Sequence, residues 1–358
     1  HQPQDMKGTP ARMTDIATLT PRQLAGQRIM AGFDGAALNH NLKFLIDTLH
    51  VGGIILFARN IIDRAQLRNL CASAQDYAAA CGLPPLFIAI DQEGGVVARL
   101  KAPHFQEFSG NPAISTVADA RNFAIAASRD LIAMGINMNM APVMDVAPPG
   151  FPSIMEKRMF STDPAEVSQL GAAVIETFQS QGILAVAKHF PGIGRTTLDS
   201  HLDLPESDLS GHDLDQFELI PFEAAIRAGV CGIMFSHIRY RRIDPYWPAS
   251  ISTIIASDLL RRRMGFDGIT LTDDLDMGAI KHYYDIYTTI SQILASDVDI
   301  ALICHQGPDI ETAHSEIMTH ITSNHAIENA CRRSVQRIMR WKTALISRAD
   351  TAAESGGS

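Results

Sequence analysis

The sequence predicts an α/β protein, a single-domain (β/α)8 barrel of the TIM type. Eight short apolar runs suited to buried parallel strands alternate with longer amphipathic stretches, and the alternation is spread evenly over the 358 residues. Several of these runs end in a charged or imidazole side chain, which is where barrels of this type carry their chemistry. A doubly wound open sheet is the structural alternative. No G-x-G-x-x-G follows the first run, which weakens a dinucleotide-binding version of it.

In chain order, residues 1–19 are polar and unpatterned and are expected to form a flexible leader to a barrel spanning 20–348. Thr20-Pro21 reads as an N-cap followed by proline in the first helical turn. Strands are expected over 28–33, 53–57, 86–91, 137–143, 185–189, 232–237, 268–273 and 300–304. The clearest helix covers 163–181. Asp163 is its N-cap, Pro164 lies in its first turn and Glu166 would complete a capping box. Val167, Leu170, Val174 and Phe178 form its apolar stripe, and Gly182 ends it. Other helices are expected after Asp63, Val117, Leu214, Ser252 and Ser323. A terminal helix follows near 327–346, and 349–358 reads as a flexible tail of small residues.

Composition narrows the function. Hydrophobic residues make up 46% and charged residues 19%, an ordinary globular balance. A formal net charge of −9 argues against nucleic acid or an anionic membrane as partner, because both demand a basic surface, and leaves small neutral substrates open. Cys71, Cys81, Cys231, Cys304 and Cys331 are scattered without metal-type spacing, the usage of free thiols in a reducing compartment. No secretory signal pattern and no run of about 18 apolar residues is seen, so a soluble, cytoplasmic protein is expected.

The stretch richest in chemistry runs from Lys188 to Pro205, K-H-F-P-G-I-G-R-T-T-L-D-S-H-L-D-L-P. An apolar run delivers Lys188 and His189 to its end. A glycine-punctuated loop then carries Asp199 and His201 two residues apart, so that in an extended segment both project to one side. A carboxylate beside an imidazole makes a proton carrier that works near neutral pH. Asp91, His237 and Asp273 end three other runs, so these side chains should converge on one pocket. Two chemistries fit. In one, Asp273 is the nucleophile of a glycosyl transfer and His201 its proton carrier. In the other, His189, His201, His237 and Asp273 hold a catalytic metal, which the Lys188 cation beside His189 opposes.

The motifs resemble glycoside hydrolase family 3, and within it the single-domain β-N-acetylhexosaminidases. The similarity covers about Leu19 to Ile346. It is carried by V-G-G-I-I-L-F-A-R-N (51–60), I-D-Q-E-G-G (90–95), M-A-P-V-M-D-V (140–146), K-R-M-F-S-T-D-P (157–164), K-H-F-P-G (188–192), D-S-H (199–201), P-A-S-I-S (248–252) and the long 259–277 segment ending G-I-T-L-T-D-D-L-D-M. The resemblance implies that Asp273 is the nucleophile, His201 the general acid/base and Asp199 its partner, in place of the usual second carboxylate. It implies sugar contacts from Asp91, Arg99, Arg158, Lys188 and His189, with His237 as a further contact. The implied activity is retaining exo-hydrolysis of terminal β-linked N-acetylglucosamine, including peptidoglycan fragments of cell-wall recycling, with no cofactor and no metal.

Two positions depart from that pattern. Ile193 stands where this branch usually has His, and Val96 where an Arg commonly follows D-Q-E-G-G. They bear on how the acid loop packs and on recognition beyond the first sugar. They also keep a non-catalytic sugar-binding barrel open as a rival. Within the family, a β-glucosidase or β-xylosidase usually takes its acid from elsewhere, often from a second domain. Phosphorolysis is the remaining alternative, since a His acid/base leaves the site less anionic than a Glu would.

Overall fold

The computed structural model describes residues 15–197 and 204–355. Its eight principal strands are β1 (Ile29–Ala31), β2 (Gly53–Leu56), β3 (Phe87–Ile90), β4 (Met138–Asn139), β5 (Leu184–Phe190), β6 (Gly232–Phe235), β7 (Ile269–Thr272) and β8 (Ala301–Ile303). Each pairs in parallel with its sequence neighbours, and β8 returns to β1 with Ile29 opposite Ala301. Between β7 and β8 the seam is a single bridge, Leu271 to Ile300, with Thr272 N donating to Ile300 O at 3.0 Å. The sheet is therefore a nearly closed eight-stranded barrel, and all eight expected runs form its strands.

Strand alternation sorts the core into two shells. Met30, Ile55, Phe87, Leu184, Val186, Ile269 and Leu302 fill the barrel interior. Ile29, Ile54, Ile88, Ala185 and Ile233 point outward to the helices. Both faces are thus covered, which is why the strands read as apolar without polar alternation.

The outer layer comprises α1 (Pro21–Gln27), α2 (His40–Asp47), α3 (Arg64–Ala80), α4 (Val117–Met134), α5 (Pro164–Gln181), α6 (Gly211–Gln216), α7 (Leu219–Arg227), α8 (Gly278–Lys281), α9 (Ile286–Ala295), α10 (Pro308–Ser323) and α11 (His325–Ser355). Thr20 and Gln23 form a reciprocal capping box on α1, and Gly182 ends α5 at φ 96°. The expected box on α5 does not form. Asp163 caps Ala165 N, while Ser161 accepts from Asp163 N at 3.1 Å and gives its own hydroxyl proton to Glu166. The helix expected after Leu214 is two short ones, α6 and α7; the break puts Pro221 in the first turn of α7, where its missing N–H costs no helical bond. The helix expected after Ser252 is a π-helix over Ile254–Arg263. No described helix is long and apolar enough to cross a membrane.

The N-terminal mouth of the barrel is sealed by α11. Ile338 joins the interior cluster, and Trp341 and Leu345 pack against it. Lys342, fully buried, reaches the end of α1 and the loop ahead of β2, where its Nζ donates to Gln27 Oε1 and Gly52 O, both at 2.7 Å.

Candidate active site

The C-terminal mouth holds a cavity of about 520 Å³ lined from seven of the eight strand ends and the loops that follow them. The segment after β3 is held by backbone and side-chain hydrogen bonds. Glu93 N and Gly94 N both donate to Val97 O at 3.0 Å, closing a tight turn with Gly94 at φ 88° and Gly95 at φ 62°. A Cβ on Gly95 would stand 2.9 Å from Ser109 O, so only glycine fits there. The buried Gln92 carboxamide accepts from Arg99 N at 2.9 Å and Leu100 N at 3.0 Å, which brings the chain back with Arg99 at the cavity.

Four of the expected sugar-binding residues are linked by ion pairs to the buried Glu93 carboxylate, Arg158 and Lys188 directly, Asp91 through Lys188 and Arg99 through Asp91. Lys188, 3% exposed at its side chain, lies 3.0 Å from Asp91 Oδ1 and 2.7 Å from Glu93 Oε1. Arg158 grips Glu93 with two nitrogens, Nε to Oε2 at 2.9 Å and Nη2 to Oε1 at 2.6 Å. Arg99 Nη2 lies 3.6 Å from Asp91 Oδ2, with its guanidinium over the Phe57 ring at 5.1 Å. Burial pushes the Glu93 carboxyl up, but the Lys188 ammonium and the Arg158 guanidinium outweigh it and hold it at about 2. For Lys188 burial works downward and the two carboxylates overcome it, so its charge is kept.

Asp273 follows β7 and faces the same cavity as Lys188 and His189. Its backbone N donates to Phe235 O at 2.9 Å, and its Oδ1 accepts from Asp274 N at 2.8 Å. Burial pushes its carboxyl up, but the His189 and His237 rings, the Asp274 N–H and Lys188 bring it below the usual range. Burial wins at Asp274, whose carboxyl is raised while its Oδ1 accepts from Asp276 N at 3.0 Å and Cys304 N at 3.1 Å. The two adjacent carboxyls are thus shifted in opposite directions, Asp273 downward and Asp274 upward.

His189 also lines the cavity, and the Lys188–His189 peptide bond is cis. Its Nδ1 is 2.8 Å from Asp145 Oδ2. His237 does not line it. The ring is 1% exposed, with Nε2 at 2.8 Å from Asp274 O and Nδ1 at 2.7 Å from Ser250 Oγ. A carbonyl only accepts, so Nε2 carries the proton and Nδ1 accepts from the serine. With both nitrogens committed, His237 braces the backbone beside Asp273 instead of contacting a sugar, and it is equally unsuited to ligate a metal.

Asp199 and His201 lie outside the described residues, but the chain that leads to them is firmly held. Tyr240 donates its hydroxyl to Gly192 O at 2.6 Å, Arg195 pairs with Glu218 through Nη2 and Oε2 at 2.8 Å, and Ile154 N donates to Thr196 O at 3.0 Å. Ile193 is 7% exposed and lines the cavity. Val96, 59% exposed, stands at the tip of the turn beside the cavity-lining Val97.

Asp274, Asp276 and His305 bring one ligand atom each within 4.8 Å of one another at the rim. Lys281 Nζ already lies 3.0 Å from Asp276 Oδ1, and its charge opposes a cation there. Sequence reasoning missed Glu93 and Asp145 as site residues. Both stood in quoted motifs, D-Q-E-G-G and P-V-M-D-V; the available signal was the lone carboxylate of Asp145 between Met144 and Val146, and for Glu93 its place in the motif alone.

Residues 19–340 match the family described as the glycosyl hydrolase family 3 N terminal domain. The chain belongs to glycoside hydrolase family 3. It is 34% identical over 293 residues to a β-hexosaminidase of Nitrosomonas eutropha, covering 78% of this chain and 81% of that one. It is 33% identical over 368 residues to β-hexosaminidase A of Pseudoalteromonas piscicida, covering 91% of this chain. Among solved family 3 structures, the β-N-acetylglucosaminidase from Paenibacillus sp. FPU-7 superposes with a TM-score of 0.88 at 36% identity over 92% of this chain. The β-N-acetylhexosaminidase from Beutenbergia cavernae gives 0.83 at 28% identity, over 91% of this chain and 99% of its own. The chain spans 62% of the Pseudoalteromonas protein and 63% of the Paenibacillus one.

Proposed function

We propose that this family 3 barrel is a retaining, exo-acting β-N-acetylglucosaminidase. The observation that carries the reading is Asp273, an anionic carboxylate at a strand end, facing a sugar-sized cavity across from Asp91, Lys188 and Arg158. The name borne by the Paenibacillus relative supports N-acetylglucosamine as the sugar, and that of the Nitrosomonas relative a hexosamine. Asp273 attacks the anomeric carbon as the glycosidic bond breaks, His201 gives its proton to the leaving oxygen, and a covalent glycosyl-enzyme forms. His201, with Asp199 as its partner, then takes a proton from the incoming water, and the second displacement restores the β configuration. Asp91 accepts from the sugar hydroxyls, while Lys188 and Arg99 donate to them.

The test is hydrolysis of an aryl β-N-acetylglucosaminide. Asp273→Ala is expected to lose activity by on the order of 10⁴-fold, and equal rates for variant and wild type would remove the nucleophile assignment. Trapping with a 5-fluoro glycosyl substrate should label the peptide containing Asp273. Added phosphate should leave the product as free sugar; a glycosyl phosphate would mean phosphorolysis.

The aglycone is a neutral saccharide on this reading. Each of the three Lys and Arg side chains lining the cavity already faces a carboxylate, and Val96 adds no charge at the rim. Chitobiose should therefore be cleaved faster than a muropeptide carrying a lactyl carboxylate, and the reverse order would restore the cell-wall substrate. A cytoplasmic setting is supported by five unpaired thiols.

A further inference from the structure

Asp145 is 0% exposed, yet among the described residues it forms no ion pair with a lysine or arginine. Its hydrogen-bond partners are two backbone N–H donors and one imidazole nitrogen. Oδ1 accepts from Ile193 N at 2.8 Å, Oδ2 lies 2.8 Å from His189 Nδ1, and both oxygens stand 3.3 Å from His189 N. A carboxylate encircled by donors accepts from each of them. A protonated one would have to turn its hydroxyl onto Nδ1 and force the imidazole into the opposite tautomer.

The contact belongs to the frame of the barrel. Asp145 follows Val143, which bridges Lys188 as an extra rung, and Met144 N donates to Lys188 O at 2.7 Å. The spacing between carboxylate and ring is therefore set by strand register, the kind of support that holds a binding group in one orientation. With Nδ1 committed, Nε2 is the nitrogen left for the cavity that Asp273 faces.

We propose that Asp145 is a positioning residue: it keeps the proton of His189 on Nδ1 and thereby presents Nε2 to a hydroxyl of the sugar seated against Asp273. The inference deepens the glycosidase reading and rests on it for the identity of the ligand; the tautomer itself does not. Without the carboxylate, the ring is free to place its proton on Nε2 and to rotate, and the contact is lost for part of the population.

Two measurements test this. In the wild-type protein with ¹⁵N-labelled histidine, assigned by the loss of its signals in His189→Gln, His189 is expected to carry a proton on Nδ1. A neutral ring protonated only on Nε2 overturns the proposal, and this readout needs neither turnover nor a folded Asp145 variant. Second, kcat/KM on the aryl β-N-acetylglucosaminide is compared for Asp145→Asn, His189→Gln and the double variant. Asp145→Asn should lose roughly 10- to 100-fold. The double variant should stay within about threefold of His189→Gln, because the carboxylate acts through the ring. Losses that multiply would show that Asp145 acts elsewhere and end the proposal. A wild type that turns over no N-acetylglucosaminide counts against the proposed function alone, and the NMR result still decides the tautomer.

Discussion

At the scale of residues, the site is a problem of burying charge. Lys188 and Glu93 are almost entirely removed from solvent; without Glu93, Lys188 keeps Asp91 but the largely buried Arg158 loses its carboxylate, and breaking such a buried pair costs about 3–5 kcal/mol. Glu93→Gln should therefore lower stability by that order in a denaturant titration and weaken sugar binding by releasing Arg158. The pH dependence has a definite sign. The folded-state value of Glu93, about 2, lies below the ordinary 4.5, so its contribution is present above pH 4.5 and is lost as the pH falls toward 2. Acid unfolding should be shallower over that window in Glu93→Gln, and an unchanged slope would contradict the pairing. The sequence pointed to Asp91, Lys188, His189 and Asp273 because they end apolar runs. Glu93 and Asp145 touch other protein groups instead of the cavity mouth, and which partner they meet depends on register between distant strands, which no local pattern reports.

At the scale of elements, the strands were legible because burial on both faces leaves an uninterrupted apolar run, which also sets them apart from the amphipathic helices. What was not legible has physical causes. The run at 137–143 yields a regular strand of only two residues, Met138–Asn139, and continues as irregular pairing in which Met140 N donates to Ile90 O and Pro142 O accepts from Lys188 N. The two-residue pairing of Glu206–Ser207 with Arg239–Tyr240 is polar and long-range, so nothing local announces it. The segment leading out of β5 carries its own prediction. A Cβ on Gly194 would stand 1.9 Å from Val146 O, so Gly194→Ala must push this segment off the β4 side. We expect a loss of about 1–3 kcal/mol in thermal unfolding, with a fall in kcat larger than the change in KM, because the displaced segment runs toward His201. A variant with wild-type stability and turnover would show that this close approach is dispensable.

At the scale of the whole molecule, the N-terminal mouth of the barrel holds one buried cation without a carboxylate partner among the described residues. Asp299 there is paired with Arg261 and Arg337, whereas Lys342 meets two neutral acceptors and the Phe87 ring at 4.9 Å. Burial lowers its ammonium to about 7 from an ordinary 10.5. The unfolded chain then binds the extra proton between those two values, so stability should rise with pH from 7 to 10 and be lowest, on this account, below 7. Lys342→Met should flatten that rise, and an unaltered profile would mean that the amine is compensated by some other group.

The seal formed by α11 also shapes traffic. With the interior below the cavity filled by side chains and α11 packed against its far end, the departing aglycone and the molecule that replaces it share the C-terminal mouth. On the proposed reaction, whatever lingers at the lip competes with water for the trapped glycosyl group. Adding a small alcohol should therefore divert part of the turnover into the alkyl glycoside, at a fraction that climbs with alcohol concentration while release of the aryl group stays constant.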